Sequence, residues 1–138
     1  MHTSSTEFGD VAGFLAVDNI NQLVVLSFRG SRTVSNWIAN LDFGQTDASS
    51  LCSGCKAHSG FLKAWEAVAD DLTPRVASAT AANPSYRLVL TGHSFGGAVA
   101  ALGGTALRNA GYTLDLVSAI LFLMQLCYAS IVRVGVNA

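Results

Sequence analysis

The chain has 138 residues, is 51% hydrophobic and only 12% charged, and carries a net charge of −1 with three cysteines. That length suits one domain with a real core, while the sparse charge marks a heavily buried or an incomplete protein. The eight basic residues stand singly, so no polybasic stripe forms and nucleic acid is not an expected partner.

Met1 to Phe8 contains no apolar segment of the kind a secretory signal carries, and His2 reads as part of an unanchored tail. Val11 to Val17 and Leu23 to Phe28 are strand-like runs joined by Asp18-Asn19-Ile20-Asn21, a good hairpin turn. The second run ends in the polar loop Arg29-Gly30-Ser31-Arg32, at a strand end where α/β folds place functional groups. Beyond it, Val34, Trp37, Ile38 and Leu41 fall at i, i+3, i+4 and i+7 behind a candidate N-cap, Thr33. This spacing predicts a helix of about two turns with one apolar face, too short to be stable without a surface to lie on.

Asp42 to Leu51 is loop-like apart from Phe43. Cys52-Ser53-Gly54-Cys55 lacks the second half of a zinc site and has no histidine at ligand spacing, so no metal is expected. A redox pair and a small local disulfide both remain open; the lack of a strand–motif–helix setting favours the disulfide. After His58 a longer helix is expected, with Phe61, Trp65, Val68, Leu72, Val76 and Ala79 along one face. Pro74 should kink or split it near Leu72, and Asn83-Pro84 should end it. The aromatics read as core, not as a cofactor box, and no cofactor is expected.

Leu88-Val89-Leu90 suits a buried strand, and a small-residue helix from about Ala98 to Ala110 follows, with Gly111 as its stop. Between them stands Gly92-His93-Ser94-Phe95-Gly96-Gly97, a Gly-x-Ser-x-Gly corner between strand and helix, the arrangement of a nucleophile elbow. Ser94 must adopt a strained angle that lifts its hydroxyl out of the turn. Gly92 and Gly96 remove side chains that would collide across it. Ser94 also stands at a helix N-terminus, where N–H groups and the dipole favour negative charge. Leu114 to Val117 reads as another buried strand. Leu116 to Val132 then carries no charge, but its seventeen residues fall just short of a bilayer span and are diluted by Ser118, Gln125 and Ser130. A transmembrane helix is therefore not expected there. The elements give an α/β fold in one domain over residues 1–138, with 117–138 an atypical apolar tail.

With these segments in place, the chain resembles the filamentous-fungal triacylglycerol lipases, the class 3 lipases of the α/β-hydrolase superfamily. The resemblance rests on Gly9 to Ala16, Val24 to Arg32, Asn36-Trp37-Ile38, Cys52 to Cys55 and Tyr86 to Gly97, in family order. It implies a partial α/β-hydrolase fold, a central and mostly parallel sheet flanked by helices, with an N-terminal β-hairpin. It implies that Ser94 attacks an ester carbonyl to form an acyl-enzyme, the oxyanion being held by the Phe95 N–H and by Ser31 through its N–H and hydroxyl. It further implies that Val34, Trp37, Ile38 and Leu41 belong to a lid that opens at an oil–water interface. Cys52 and Cys55 would form a local disulfide, His93 would line the cleft, and the protein would be extracellular, acting on lipid or another ester.

The chain also departs from the pattern. The superfamily needs Ser, then Asp or Glu, then His in chain order, yet after Ser94 the sequence holds one acid, Asp115, and no histidine. His2, His58 and His93 all precede the serine. The expectation is a fragment truncated at both ends, without its triad Asp and His and inactive as it stands. Ile120 to Cys127 reads as an insertion ahead of a faint family echo at Arg133-Val134-Gly135. Two other readings remain open. One is a feruloyl esterase on the same scaffold, against which the apolar lid argues. The other is a non-catalytic lipid-binding relative, which the missing histidine favours and the Ser94 corner opposes.

Overall fold

The structure is a computed structural model that describes residues 2–8, 11–30 and 45–119. Its strands are β1 (His2–Phe8), β2 (Val11–Asp18), β3 (Leu23–Phe28), β4 (Gln45–Asp47), β5 (Lys56–His58), β6 (Arg87–His93) and β7 (Leu114–Ala119). Its helices are α1 (Ser59–Ala82) and α2 (Phe95–Asn109). The main sheet has the order β1-β2-β3-β6-β7, and β4 and β5 form a separate antiparallel pair.

The expected hairpin forms between β2 and β3, with Asp18 opposite Leu23 and Gly13 opposite Phe28. Asp18 closes its turn by accepting from the backbone N–H groups of Ile20 at 3.0 Å and Asn21 at 3.1 Å, and from the Asn21 side chain at 2.7 Å. The Asn21 amide, with those backbone donors, holds the Asp18 carboxyl below its ordinary range. Gly13 is required by close approach, because a Cβ there would stand 2.3 Å from the Ser27 carbonyl oxygen.

Beyond the hairpin the sheet is parallel, β3 beside β6 and β6 beside β7, which is the α/β arrangement foreseen. The register sets Val24, Leu26 and Phe28 level with Leu88, Leu90 and Gly92. Val24, Leu26, Phe28, Leu88 and Leu90 are buried, whereas Val25, Ser27, Val89 and Thr91 between them are only half-buried. Both helices pack on the first face: the Trp65 ring of α1 meets Phe28 edge-on at 6.5 Å, and α2 brings the Gly96 backbone against Phe28. The core lies between that face and the two helices, with Val68, Val76, Val99, Leu102 and Leu107 among its fully buried side chains.

Two expectations are corrected. His2 is not in a loose tail: β1 pairs antiparallel with β2 from His2–Val17 to Phe8–Val11. An edge strand is held by its backbone ladder and needs no apolar alternation, which is why Thr-Ser-Ser-Thr gave no strand signal. Nor does Pro74 split the second predicted helix, since α1 continues through it for 24 residues. Pro74 is exposed, while Leu72 and Val76 on either side are buried, so packing anchors both halves and the lost N–H faces water. Of the apolar tail, Val117 to Ala119 belong to β7, and residues 120–138 lie outside the described residues.

Candidate functional site

The parallel strand β6 runs out at His93, and α2 begins at Phe95, leaving Ser94 alone to turn the chain. Its backbone sits at φ 56° and ψ −123°. That left-handed angle is uncommon for a residue with a side chain and is the strained corner expected of an elbow. The glycines around it are fixed by contact. A Cβ on Gly92 would lie 2.3 Å from the Gly96 carbonyl, and one on Gly96 would lie 2.3 Å from the Phe28 carbonyl oxygen.

Ser94 caps α2 by position but makes no side-chain capping bond. Its side chain is fully buried, and Oγ has no hydrogen-bond partner. The hydroxyl is therefore enclosed at the corner. The Arg29–Gly30 loop lies directly against it. A Cβ at Gly30 would stand 3.8 Å from Ser94 Cβ and 2.9 Å from the His93 carbonyl oxygen. That bend is where the sequence placed an oxyanion donor. Ser31 itself, and Val34, Trp37, Ile38 and Leu41 of the expected lid, lie outside the described residues.

Phe95 opens α2, so its N–H belongs to the first turn, where donors point out of the helix toward the corner. Its buried ring meets Phe61 at 5.9 Å, edge to face, and Phe61 in turn packs on the His58 ring at 4.6 Å. His93, expected to line the cleft, is exposed at the end of β6.

Neither remaining candidate can act as base or acid partner here. His58 is the N-cap of α1 and accepts the Gly60 N–H on Nδ1 at 3.1 Å. In the neutral ring the proton is then on Nε2, so no lone pair is free for the serine. Asp115 sits level with Val89, about five residues or ~17 Å of strand short of the corner. Its carboxylate is ion-paired with Arg87 at the sheet surface. The capping role of His58 was not read from the sequence; the only signal was the position of His58-Ser59-Gly60 ahead of an apolar helix.

Cys52 and Cys55 are joined by a disulfide, with 5.3 Å between their Cα atoms. The bridge ties the loop between β4 and β5, where Ala48 donates its N–H to the Cys55 carbonyl at 2.9 Å. Ala48, Leu51 and Cys55 are carried into the core by this loop. No cluster of His, Cys, Asp or Glu among the described residues could hold a metal ion. Among them, too, no helix is long and apolar enough to cross a membrane.

Comparison with known proteins decides the family. The model of the family described as Lipase (class 3) matches residues 25–124, which include most of β3, the disulfide loop and the whole Ser94 corner. The chain belongs to the class 3 lipases. This class 3 lipase chain is 47% identical over 109 residues to a secreted mono- and diacylglycerol lipase A of Penicillium cyclopium, covering 79% of the chain and 35% of the relative. It is 45% identical to a secreted mono- and diacylglycerol lipase 1 of Fusarium solani, covering 77% and 32%. The crystal structure of a mutant form of MDLA from Penicillium cyclopium superposes with a TM-score of 0.74 at 46% identity, covering 82% of the chain and 42% of that structure. The lipase chain thus spans about a third of the length of these curated relatives.

Proposed function

We propose that this chain carries the nucleophile half of an acylglycerol ester hydrolase, with Ser94 as the attacking residue. In that reaction Oγ adds to the ester carbonyl, and the oxyanion so formed is held by the Phe95 N–H and by Ser31. The glycerol oxygen then leaves with a proton, the acyl group stays on Oγ, and water releases the fatty acid. Residues 34–41 serve as the lid, their apolar side chains costing roughly 1.5–3 kcal/mol each to expose to water and little on lipid. The observation that carries the reading is the unpartnered, buried Ser94 Oγ at a strained strand-to-helix corner, with the Gly30 bend against it. A buried hydroxyl without a partner is a recurring mark of a group kept for chemistry.

Two relatives at 47% and 45% identity are named mono- and diacylglycerol lipases. Partial glycerides are therefore the substrates we put ahead of triacylglycerols and of feruloyl esters. Both relatives are also named as secreted, and the Cys52–Cys55 bridge suits an oxidising, extracellular setting. Contact with the lipid surface is peripheral in this reading.

Among the described side chains neither His58 nor His93 is placed to activate Ser94, and loss of a histidine base costs on the order of a millionfold in turnover. The 138-residue chain alone is expected to hydrolyse p-nitrophenyl butyrate at no more than a trace rate. Oxyanion donors still give a bare triad serine roughly 10³–10⁴-fold over water. Prolonged exposure to a fluorophosphonate should therefore label Ser94 slowly but selectively, as read by peptide mass spectrometry. Labelling spread evenly over other serines, or none on Ser94, would remove the nucleophile from this corner. Ordinary lipase turnover abolished by Ser94→Ala would instead show that the chain has its own base. The absence of that base favours the second reading, a lipid-binding relative without catalysis; it predicts glyceride binding with no labelling of Ser94 at all.

A further inference from the structure

Among the described residues, two buried side-chain polar atoms lack a partner: Ser94 Oγ, which the proposed reaction uses, and His58 Nε2, which it does not. We infer that His58 is a specificity-determining residue for the reaction at Ser94, its Nε2–H donating to a glycerol hydroxyl or ester oxygen of a partial glyceride. The tautomer is fixed from behind. Nδ1 accepts the Gly60 N–H at 3.1 Å, so the neutral ring presents a donor, never an acceptor, at Nε2. The ring is only 6% exposed, and a donor so enclosed is costly unless something meets it. Location ties it to the serine: His58 packs on Phe61 at 4.6 Å, Phe61 on Phe95 at 5.9 Å, and Phe95 directly follows Ser94. The run of rings from His58 thus ends one residue along the chain from Ser94. An N–H donor beside aromatic rings matches a hydroxyl or ester oxygen flanked by an acyl chain. An anion there would need a paired cation.

This inference rests on the lipase reading of the cleft, and its test separates the two. The unsubstituted chain, labelled with ¹⁵N-histidine, is titrated with 1-O-octylglycerol, an ether that cannot be hydrolysed, and with 1-chlorooctane, which has no glycerol oxygens. The comparison variant is His58→Asn, whose side-chain oxygen can still accept the Gly60 N–H and cap α1. The expected result is a shift of the His58 Nε2 resonance with the glycerol ether but not with chlorooctane. The variant should bind the ether roughly three- to tenfold more weakly, and chlorooctane equally well. If the unsubstituted chain binds neither compound, the lipid cleft fails and this inference falls with it. If both bind and His58→Asn matches the original chain on the ether, the role of His58 alone is overturned. An Nε2 resonance that ignores saturating ether, as for a nitrogen partnered by a buried water only, overturns it equally.

Discussion

At Ser94 the chemistry and the stability of the chain pull in opposite directions. The residue holds φ 56° and buries an unpartnered hydroxyl, two features that each cost folding free energy. Ser94→Ala keeps the Cβ and the backbone strain but deletes the orphaned oxygen. It is expected to raise stability by about 1 kcal/mol, seen as a higher urea midpoint at unchanged slope. A lower midpoint would mean that Oγ has a partner after all. The neighbouring glycines behave otherwise. Gly92→Ala and Gly96→Ala each place a methyl 2.3 Å from backbone atoms that cannot move aside, so both should cost about 1–3 kcal/mol or more. Gly111→Ala meets nothing within 4 Å and is opposed only by its φ of 101°, a cost of about 1–2 kcal/mol. The Gly-x-Ser-x-Gly spacing made this corner legible, because only small residues fit a turn so tight. That Oγ would lack a hydrogen-bond partner was not legible, since the spacing of the glycines does not say which polar atoms reach the corner.

The two helices show what periodicity can and cannot reveal. Phe61, Trp65, Val68, Leu72 and Val76 repeat at helical spacing, and the structure buries all five along α1. Beside the bulky Phe95, Val99, Leu102 and Leu107, α2 buries seven small residues, Gly96, Gly97, Ala98, Ala100, Ala101, Gly103 and Gly104. Such a helix can approach closely, and the fit is tightest where a Cβ on Gly103 would lie 2.7 Å from the Trp65 ring. Gly103→Ala is expected to destabilise by about 1–3 kcal/mol, despite alanine's better helix propensity. Paired with Trp65→Phe, which vacates the outer ring, the same alanine should cost less. Urea unfolding of the two single variants and the double should therefore give a coupling energy above about 0.5 kcal/mol. Strict additivity would show that the ring and the glycine do not meet. β1 illustrates the opposite limit: a polar strand on a sheet edge owes its place to backbone pairing with β2, which no side-chain pattern records.

For the molecule as a whole, what matters is which face of the sheet the described helices leave open. Both described helices cover the side bearing Val24, Leu26, Phe28, Leu88 and Leu90, while Phe14 on the reverse is 43% exposed and Val25 and Val89 beside it are half-buried. The alternation of strands and helices announced an α/β fold. The face that the described helices leave open could be named only once the register set Phe14 opposite Ser27 and Val25 level with Val89. Such a face is sticky because apolar area gains by leaving water, and 12% charged residues supply little repulsion between copies. The isolated chain should accordingly self-associate as its concentration rises, in sedimentation velocity, and should bind the dye ANS in its folded state. Phe14→Lys puts a charge on the exposed face without entering the helix-side core, so it should shift the chain toward monomer and lower ANS fluorescence. Ile20 provides the control. It is 93% exposed at the hairpin tip, away from the face, and Ile20→Lys adds the same charge. If Ile20→Lys suppressed association as fully as Phe14→Lys, net charge rather than this face would govern it. A chain that stays monomeric without either change would show the reverse side to be covered.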